Sequence, residues 1–317
     1  MLYVKIYPMN QFSSKIPVYI NQCDSCEESI LQPLIQNHLD CLQVPAQLSS
    51  KRILLKPNLI SASAPSLACT SPAFVAAVAA CFLKRGAKVC LGDSPAFGSA
   101  WQVLKKQGFT RELSGLDIQY LEFKSVVRKR LDCGIDISVA AEALECDYFV
   151  NLPRIKAHEQ MGVTVALKNV FGIIPGARKA MLHMRHGNGH RDFAELILDL
   201  HKLLPKTLCL VDGVQVMTRR GPVKGTALHL GCLASSENFV ALDRAMLEVL
   251  ELNKEKIPIA MAAQKQNLPG AFLEDIEFPL LSPDAFAGSG FTIPSDLSPV
   301  RFQVMQFIRS SLRRAFT

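Results

Sequence analysis

Residues 52–95 read RILLKPNLISASAPSLACTSPAFVAAVAACFLKRGAKVCLGDSP, and this stretch decides the fold class. RILL (52–55) is a short, β-rich apolar run. An irregular Ser/Ala/Pro loop follows it. SPAFVAAVAACFLKRG then reads as a helix, with Ser71 at the N-cap, Pro72 at the first helical position and Gly86 just past the end. KVCLGD (88–93) is the next strand. Near-continuous apolar strands separated by a helix signal a parallel sheet covered on both faces.

The same alternation extends downstream. SAWQVLKKQGF suggests a helix stopped near Gly108, and IQYLEF (118–123) a strand. ISVAAEALE (137–145) reads as a helix and DYFVNLP (147–153) as a strand. RDFAELILDLHKLL (191–204) has apolar residues at helical spacing and reads as an amphipathic helix lying on the sheet. TLCLVDG (207–213) and LHLGCLAS (228–235) are strands, and NFVALDRAMLEVLEL (238–252) is a helix. The expected fold is α/β, a mainly parallel sheet with helices on both faces, spanning residues 1–255. Residues 256–317 are rich in Pro, Ser, Asp and Phe. They are expected to form a small C-terminal appendage that ends in a basic amphipathic helix, RFQVMQFIRSSLRRAF (301–316).

Composition bounds the function. The chain has 317 residues, 49% hydrophobic and 20% charged, with a net charge of +7. That is globular rather than disordered. The basic excess is modest, so an anionic small molecule is expected and a nucleic acid is not. The longest apolar run, PAFVAAVAACFL, is too short to span a bilayer. MLYVKIYPMNQF is interrupted by Lys5 and Pro8 and lacks a secretory signal pattern. Several of the ten cysteines sit inside apolar runs, as Cys81, Cys90 and Cys209 do. A cytoplasmic protein with reduced thiols is expected.

The polar residues fall just after the strands. Lys56 and Asn58 follow RILL, Asp93 and Ser94 follow KVCLG, Asn151 to His158 follow DYFV, and Asp212 follows TLCLV. The carboxyl ends of parallel strands share one edge, where ligands bind. Four distant segments should therefore converge on one cleft. Lys56, Lys156 and Lys168 would crowd up to three ammonium groups there, which suits a phosphate or carboxylate, or a neutralised lysine acting as base or nucleophile. Lys156, His158 and Lys168 are the candidate catalytic residues. Lys56, Asn58, Asp93, Ser94, Asn169 and Asp212 are candidate ligand contacts. His190 and Arg191, at the Gly-rich start of the 191–204 helix, add an expected anion contact.

Metal chemistry finds less support. His183, His186 and His190 have helix-like spacing, but Gly187 and Gly189 interrupt it and no HExxH pattern is present, so no metal site is expected. Cys23 and Cys26 form one Cys-x-x-Cys with no second pair, so no self-contained iron–sulfur motif can be completed and no cofactor is specified. P-loop, GxGxxG and GxSxG patterns are also missing.

ILLKPNL (53–59), VCLGDSP (89–95), VNLPRIKAH (150–158) and VALKNVFGIIPGARK (165–179), in this order, resemble the family called domain of unknown function 362. VDGVQVMTRRGPVKG and LASSENFVALD resemble its later segments. The resemblance covers roughly residues 17–250 and implies an α/β fold with a cleft built from these segments. It places the family's polar positions on Lys56, Asn58, Asp93, Lys156, His158, Lys168, Asn169, Asp212 and Asp243. Many relatives carry a ferredoxin-like segment with four-iron clusters, which this chain lacks. Where relatives approach Gly-Pro with acidic, Gly-rich residues, this sequence has Arg219-Arg220 before Gly221-Pro222.

The first expectation is an enzyme acting on an anionic small molecule. An iron–sulfur-associated redox protein working with a partner protein is the alternative implied by the resemblance. A non-catalytic binding or scaffold protein, attached through the C-terminal helix, is the third.

Overall fold

The computed structural model describes residues 15–186 and 189–297. The basic helix expected at 301–316 lies outside the described residues. Two short strands, β1 (Ile16–Pro17) and β2 (Tyr19–Gln22), precede helix α1 (Glu28–Cys41). The strand–helix–strand stretch follows as β3 (Arg52–Pro57), α2 (Pro72–Lys84) and β4 (Lys88–Asp93). Next come α3 (Ala100–Lys106), α4 (Phe109–Glu112), β5 (Ile118–Glu122), a hairpin of β6 (Val126–Arg130) and β7 (Asp136–Ala140), and α5 (Ala141–Leu144). The middle of the chain holds β8 (Tyr148–Leu152), β9 (Arg154–His158), β10 (Gly162–Thr164), α6 (Ala166–Val170), α7 (Ala177–His186) and α8 (His190–His201). Then follow β11 (Thr207–Thr218), β12 (Thr226–Ser236), α9 (Phe239–Val249), α10 (Pro258–Lys265) and β13 (Ile276–Glu277).

The central sheet runs β10-β9-β11-β8-β3-β4-β5, with β12 also on β11 and β2 on β12. Its β5, β4, β3, β8 and β11 are joined in parallel, and β9 also runs parallel to β11. The β10–β9, β12–β11 and β2–β12 pairings are antiparallel. The molecule is thus mixed α/β with a mostly parallel central sheet.

Side chains alternate across a strand, and this splits the core in two. Ile53 and Leu55 of β3 pack with Leu31 and Ile35 of α1 and with Phe74 and Val78 of α2. Leu54, between them, joins the opposite core with Phe193 and Ile197 of α8 and Leu242 and Met246 of α9. Both faces need cover, which is why the strands read as continuous apolar runs. Ile257, Ile259, Ala262, Ala263, Ile276 and Phe286 pack into that second core. The described part of the segment expected as an appendage is therefore seated against the sheet's helical layer.

Local expectations were met unevenly. Gly86 follows α2 with φ of +78°, as a residue past a helix end requires. Ser71 sits at the N-cap of α2, but its side chain makes no cap; its backbone N–H donates to Asp212 Oδ2 at 2.8 Å. The helix expected over 137–145 is a correction: residues 136–140 form β7, and only Ala141–Leu144 is helical. Ile137 and Val139 are β-branched and pair with Lys129 and Val127 in the hairpin, which overrides the helical spacing.

A second correction bears on function. Lys156 and His158 were expected beyond a strand end, at the rim of a cleft. They lie inside strand β9, and the whole of Arg154–His158 is buried. Pro153 separates β8 from β9, and its carbonyl accepts the Asp212 N–H at 2.9 Å. The long β11 pairs first with β8 and then with β9, so the ladder resumes beyond the proline.

Candidate functional site

The carboxyl ends of β3, β4 and β8, the strand β9 and the short helix α6 meet in one polar cluster. Lys56 Nζ lies 2.7 Å from Asp93 Oδ1, with both side chains essentially removed from water. It also donates to the Pro57 carbonyl at 2.9 Å. Asp93 Oδ2 accepts the Leu59 N–H at 2.9 Å. Burial lowers the Lys56 pKa, and Asp93 opposes that shift. Gly172 lies directly over this pair. A Cβ there would overlap Asp93 Oδ1 and Lys56 Nζ, so only glycine fits.

Three amides knit the centre together. Asn169 Oδ1 accepts from Asn58 Nδ2 at 2.6 Å, and Asn169 Nδ2 donates to Asn151 Oδ1 at 2.8 Å. Asn151 Nδ2 donates to the Ala166 carbonyl at 2.9 Å. Each buried amide thus has a partner, as an apolar surrounding demands. Asp243 of α9 fixes α6 from the other side: its Oδ1 accepts the Ala166 N–H at 2.7 Å. Burial pushes the Asp243 carboxyl up to about 7.

Lys156 donates to Asn58 Oδ1 and to the Ala68 carbonyl. Both partners are neutral. Burial pulls its pKa down to about 7, with Lys168 and Arg154 adding to the fall. His158 Nδ1 accepts the N–H of Gln160 at 3.1 Å and of Met161 at 3.3 Å. Its pKa is held well below the usual range by burial, then by Lys168, Lys156 and His183. With Nδ1 accepting, the neutral ring carries its proton on Nε2. His158 is therefore set to donate a hydrogen bond.

Lys168 differs from the other two lysines. Its Nζ lies 4.9 Å from the centre of the Phe171 ring and 5.5 Å from that of Phe193. Among the described residues no carboxylate lies within ion-pairing distance of it, whereas Lys56 has Asp93. Burial, then Lys56, lowers its pKa to about 8. It remains partly accessible, while Lys56 and Lys156 are closed off. His183 of α7 stacks edge-on against Phe171 at 5.0 Å, and burial takes it down to about 3.

A second ion pair flanks the cluster. Arg154 Nε lies 3.0 Å from Asp212 Oδ2, and the Arg154 guanidinium also donates to the Cys69 carbonyl at 3.0 Å. Asp212 Oδ2 is thereby engaged from within the protein, whereas its buried Oδ1 accepts no hydrogen bond among the described residues. Arg154 was missed in the sequence, although it stands two residues before Lys156 in the same strand. Lys179 was missed too; it donates to the Ser94 carbonyl, and Ser94 Oγ accepts the Gly176 N–H at 3.1 Å.

Lys56, Asn58, Asp93, Lys156, Lys168 and Asn169 are thus drawn together, with His158 beside them. His190 stands next to this group, its Nδ1 3.0 Å from the Gln160 carbonyl. Arg191 is not drawn in: it is exposed and pairs with Glu195 at 3.2 Å. Arg219 and Arg220 are exposed as well, and Arg220 lies 3.7 Å from Glu159. Gly221 packs so closely on the Ala157 carbonyl, between Lys156 and His158, that a Cβ would collide with it.

Residues 53–248 match the family described as Domain of unknown function (DUF362). The chain belongs to this family. All of the clustered residues, and Asp243, fall within the DUF362 match. A curated relative, the thylakoid-associated protein sll1697 of Synechocystis, is 34% identical over 267 residues, which is 84% of this chain and 83% of the relative. A solved structure similar to this DUF362 chain is the lactate racemase apoprotein from Thermoanaerobacterium thermosaccharolyticum, with a TM-score of 0.49 and 14% identity. That similarity covers 77% of this chain, which spans 60% of the other's length.

Cofactor chemistry can be tested against the donors present. Among the described residues no three His, Cys, Asp or Glu side chains are grouped to hold a metal ion. Burial pushes the Cys23 thiol up to about 11 and raises that of Cys26. A thiol so shifted is a poor thiolate ligand and a poor nucleophile at neutral pH. The pair does not fit iron–sulfur ligation. Among the described residues no helix is long and apolar enough to cross a membrane.

Proposed function

We propose that this protein is an enzyme acting on a small anionic molecule, bearing a carboxylate or a phosphate, bound against Lys168. One observation carries the proposal: Lys168 is an enclosed ammonium over two phenylalanine rings, with no carboxylate counter-ion among the described residues. A buried or half-buried cation is stabilised by an opposite charge, and an anionic ligand would supply it. Lys156 and His158 stand close enough to shift in response to Lys168, so they belong to the same field.

The chemistry such a site favours is proton transfer. Lysines near 7 and 8 exchange protons at neutral pH, as a general acid or base must. Lys168 is the residue for that step. His158, with its proton on Nε2, would donate a hydrogen bond to developing negative charge. Asn58 holds Lys156 in place, and Asn151 and Asp243 hold the start of α6. A cytoplasmic setting belongs to this proposal, supported by Cys81, Cys90 and Cys209 packing as apolar core residues.

A pH profile follows. An anion prefers charged Lys168, so affinity should be full below about 8 and fall as pH rises through that value. Malonate is a suitable probe because both of its carboxyl groups are ionised across the alkaline range where Lys168 loses its proton. Isothermal titration from pH 6.5 to 10 should show its affinity dropping by about tenfold per pH unit on the alkaline side. In the ligand-free protein the sign reverses. Both lysines titrate below their unfolded range, the unfolded chain holds more protons, and stability rises from about pH 7 towards 10. A malonate affinity that is flat across this range would sink the assignment of Lys168 to the anion.

A further inference from the structure

A second cleft, of about 580 Å3, lies between the β6–β7 hairpin and helix α7. Arg128, Lys129 and Arg130 of the hairpin, Arg178 and Arg185 of α7, and a single carboxylate, Asp136, line it. Arg130 and Asp136 pair at 2.9 Å and offset each other. Among the described residues no carboxylate lies within ion-pairing distance of the other four cations, all of them exposed. Like charges held around one concavity repel one another and raise the local positive potential.

Helix α7 separates this cleft from the Lys168 cluster. Lys179 and His183, four residues apart, share the face that meets Ser94 and Phe171. Arg178, Met181, Leu182 and Arg185 follow the complementary helical spacing and line the cleft. Met181 is 40% exposed, so an apolar contact sits among the charges.

We propose that this cleft binds a small polyphosphorylated anion, one that carries several phosphate groups within a nucleotide-sized volume. Arginine forks match phosphate oxygens in pairs, and three of the four uncompensated cations are arginines. The concave shape and volume suit a compact ligand enclosed on two sides, whereas a bilayer surface would present a flat sheet of charge to it.

The test uses the full chain and tripolyphosphate as the probe, followed by isothermal titration. Saturable binding is expected, weakening as salt is added. It should fall by at least about tenfold in the double variant Arg128→Glu/Lys129→Glu, and likewise in Arg178→Glu, as loss of charge-assisted contacts requires. Circular dichroism melts should be unchanged, because these side chains are exposed. Lys168→Ala should retain tripolyphosphate binding, which separates this cleft from the proposed enzyme site. Four results would overturn the proposal: no saturable binding, binding indifferent to the hairpin and α7 charges, binding lost with Lys168 alone, or binding to phosphatidylglycerol vesicles without binding to tripolyphosphate.

Discussion

Asp93→Asn is expected to destabilise the protein by about 3–5 kcal/mol in urea unfolding at pH 7, because it strands the charge of Lys56 in a site closed to water. The substitution keeps the size of the side chain, so packing is not at issue. The Leu59 N–H still finds an acceptor in the amide oxygen. What is lost is the counter-charge 2.7 Å from Nζ. In the variant Lys56 would be driven towards its neutral form, and its pKa would fall further below that of the unfolded chain. The unfolded state then holds the extra proton, so the deficit should shrink as pH rises. A second variant, Lys56→Met with Asp93→Leu, removes both charges. It should recover most of the loss, since a buried pair costs much of its attraction in desolvation. A cost below about 1 kcal/mol for Asp93→Asn would mean that Lys56 is already neutral or hydrated in the folded protein.

Lys168→Ala is expected to have the opposite profile. Malonate or phosphate binding should weaken by about 2–3 kcal/mol, which is 30- to 150-fold in Kd, the loss of a charge-assisted contact in a desolvated site. Folding stability should change by less than about 1 kcal/mol. The ammonium makes no ion pair among the described residues, and its stacking on Phe171 and Phe193 is a modest term set against the cost of enclosing a charge. Lys168→Arg keeps the charge but cannot give up its proton at neutral pH. It should therefore retain binding while any turnover that depends on Lys168 is lost. A Lys168→Ala variant that binds as well as the parent would leave the cluster as a purely structural network.

These two variants divide the site into a floor and a reactive group, and the sequence distinguished them poorly. Strand ends were legible because the apolar runs at 53–55, 89–91 and 148–150 stop at polar residues, and parallel strands bring such ends together. That was enough to place Lys56, Asn58 and Asp93 with Lys156. It was not enough to show that Lys56 and Asp93 neutralise each other, which depends on the β3–β4 register and on Gly172 lying over the pair. Asp212 reads as a ligand contact for the same reason, and its ion pair is not legible. Its partner, Arg154, lies across a non-local pairing of β11 with β9 that no local pattern encodes.

The strand β9 was hidden by Pro153. A proline normally ends a ladder, so Lys156 and His158 read as rim groups. The structure keeps them in the sheet because β11 is long enough to pair with the chain on both sides of the proline. The hairpin at 126–140 was obscured differently: Ile137 and Val139 carry β preference inside a stretch whose spacing suits a helix, and tertiary pairing decided the outcome. That misreading also concealed the basic cleft, since its hairpin wall does not exist in a helical reading of 137–145. Lys168 and Asn169 were legible as a pair of polar groups at the end of a small-residue run. The two phenylalanine faces under Lys168 come from α8 and from the turn after α6, and only the fold brings them together.

The ionisation of Lys168 itself decides whether an anion belongs there. Nuclear magnetic resonance of side-chain-labelled lysines, with Lys168→Arg for assignment, gives its pKa in the free protein and again with saturating malonate. Lys168 should titrate near 8 when free and move upward with malonate, while Lys56, already paired with Asp93, should respond less. An ordinary lysine pKa near 10.5 in the free protein, or a value near 8 that malonate and phosphate both leave unmoved, would contradict an anion site at Lys168.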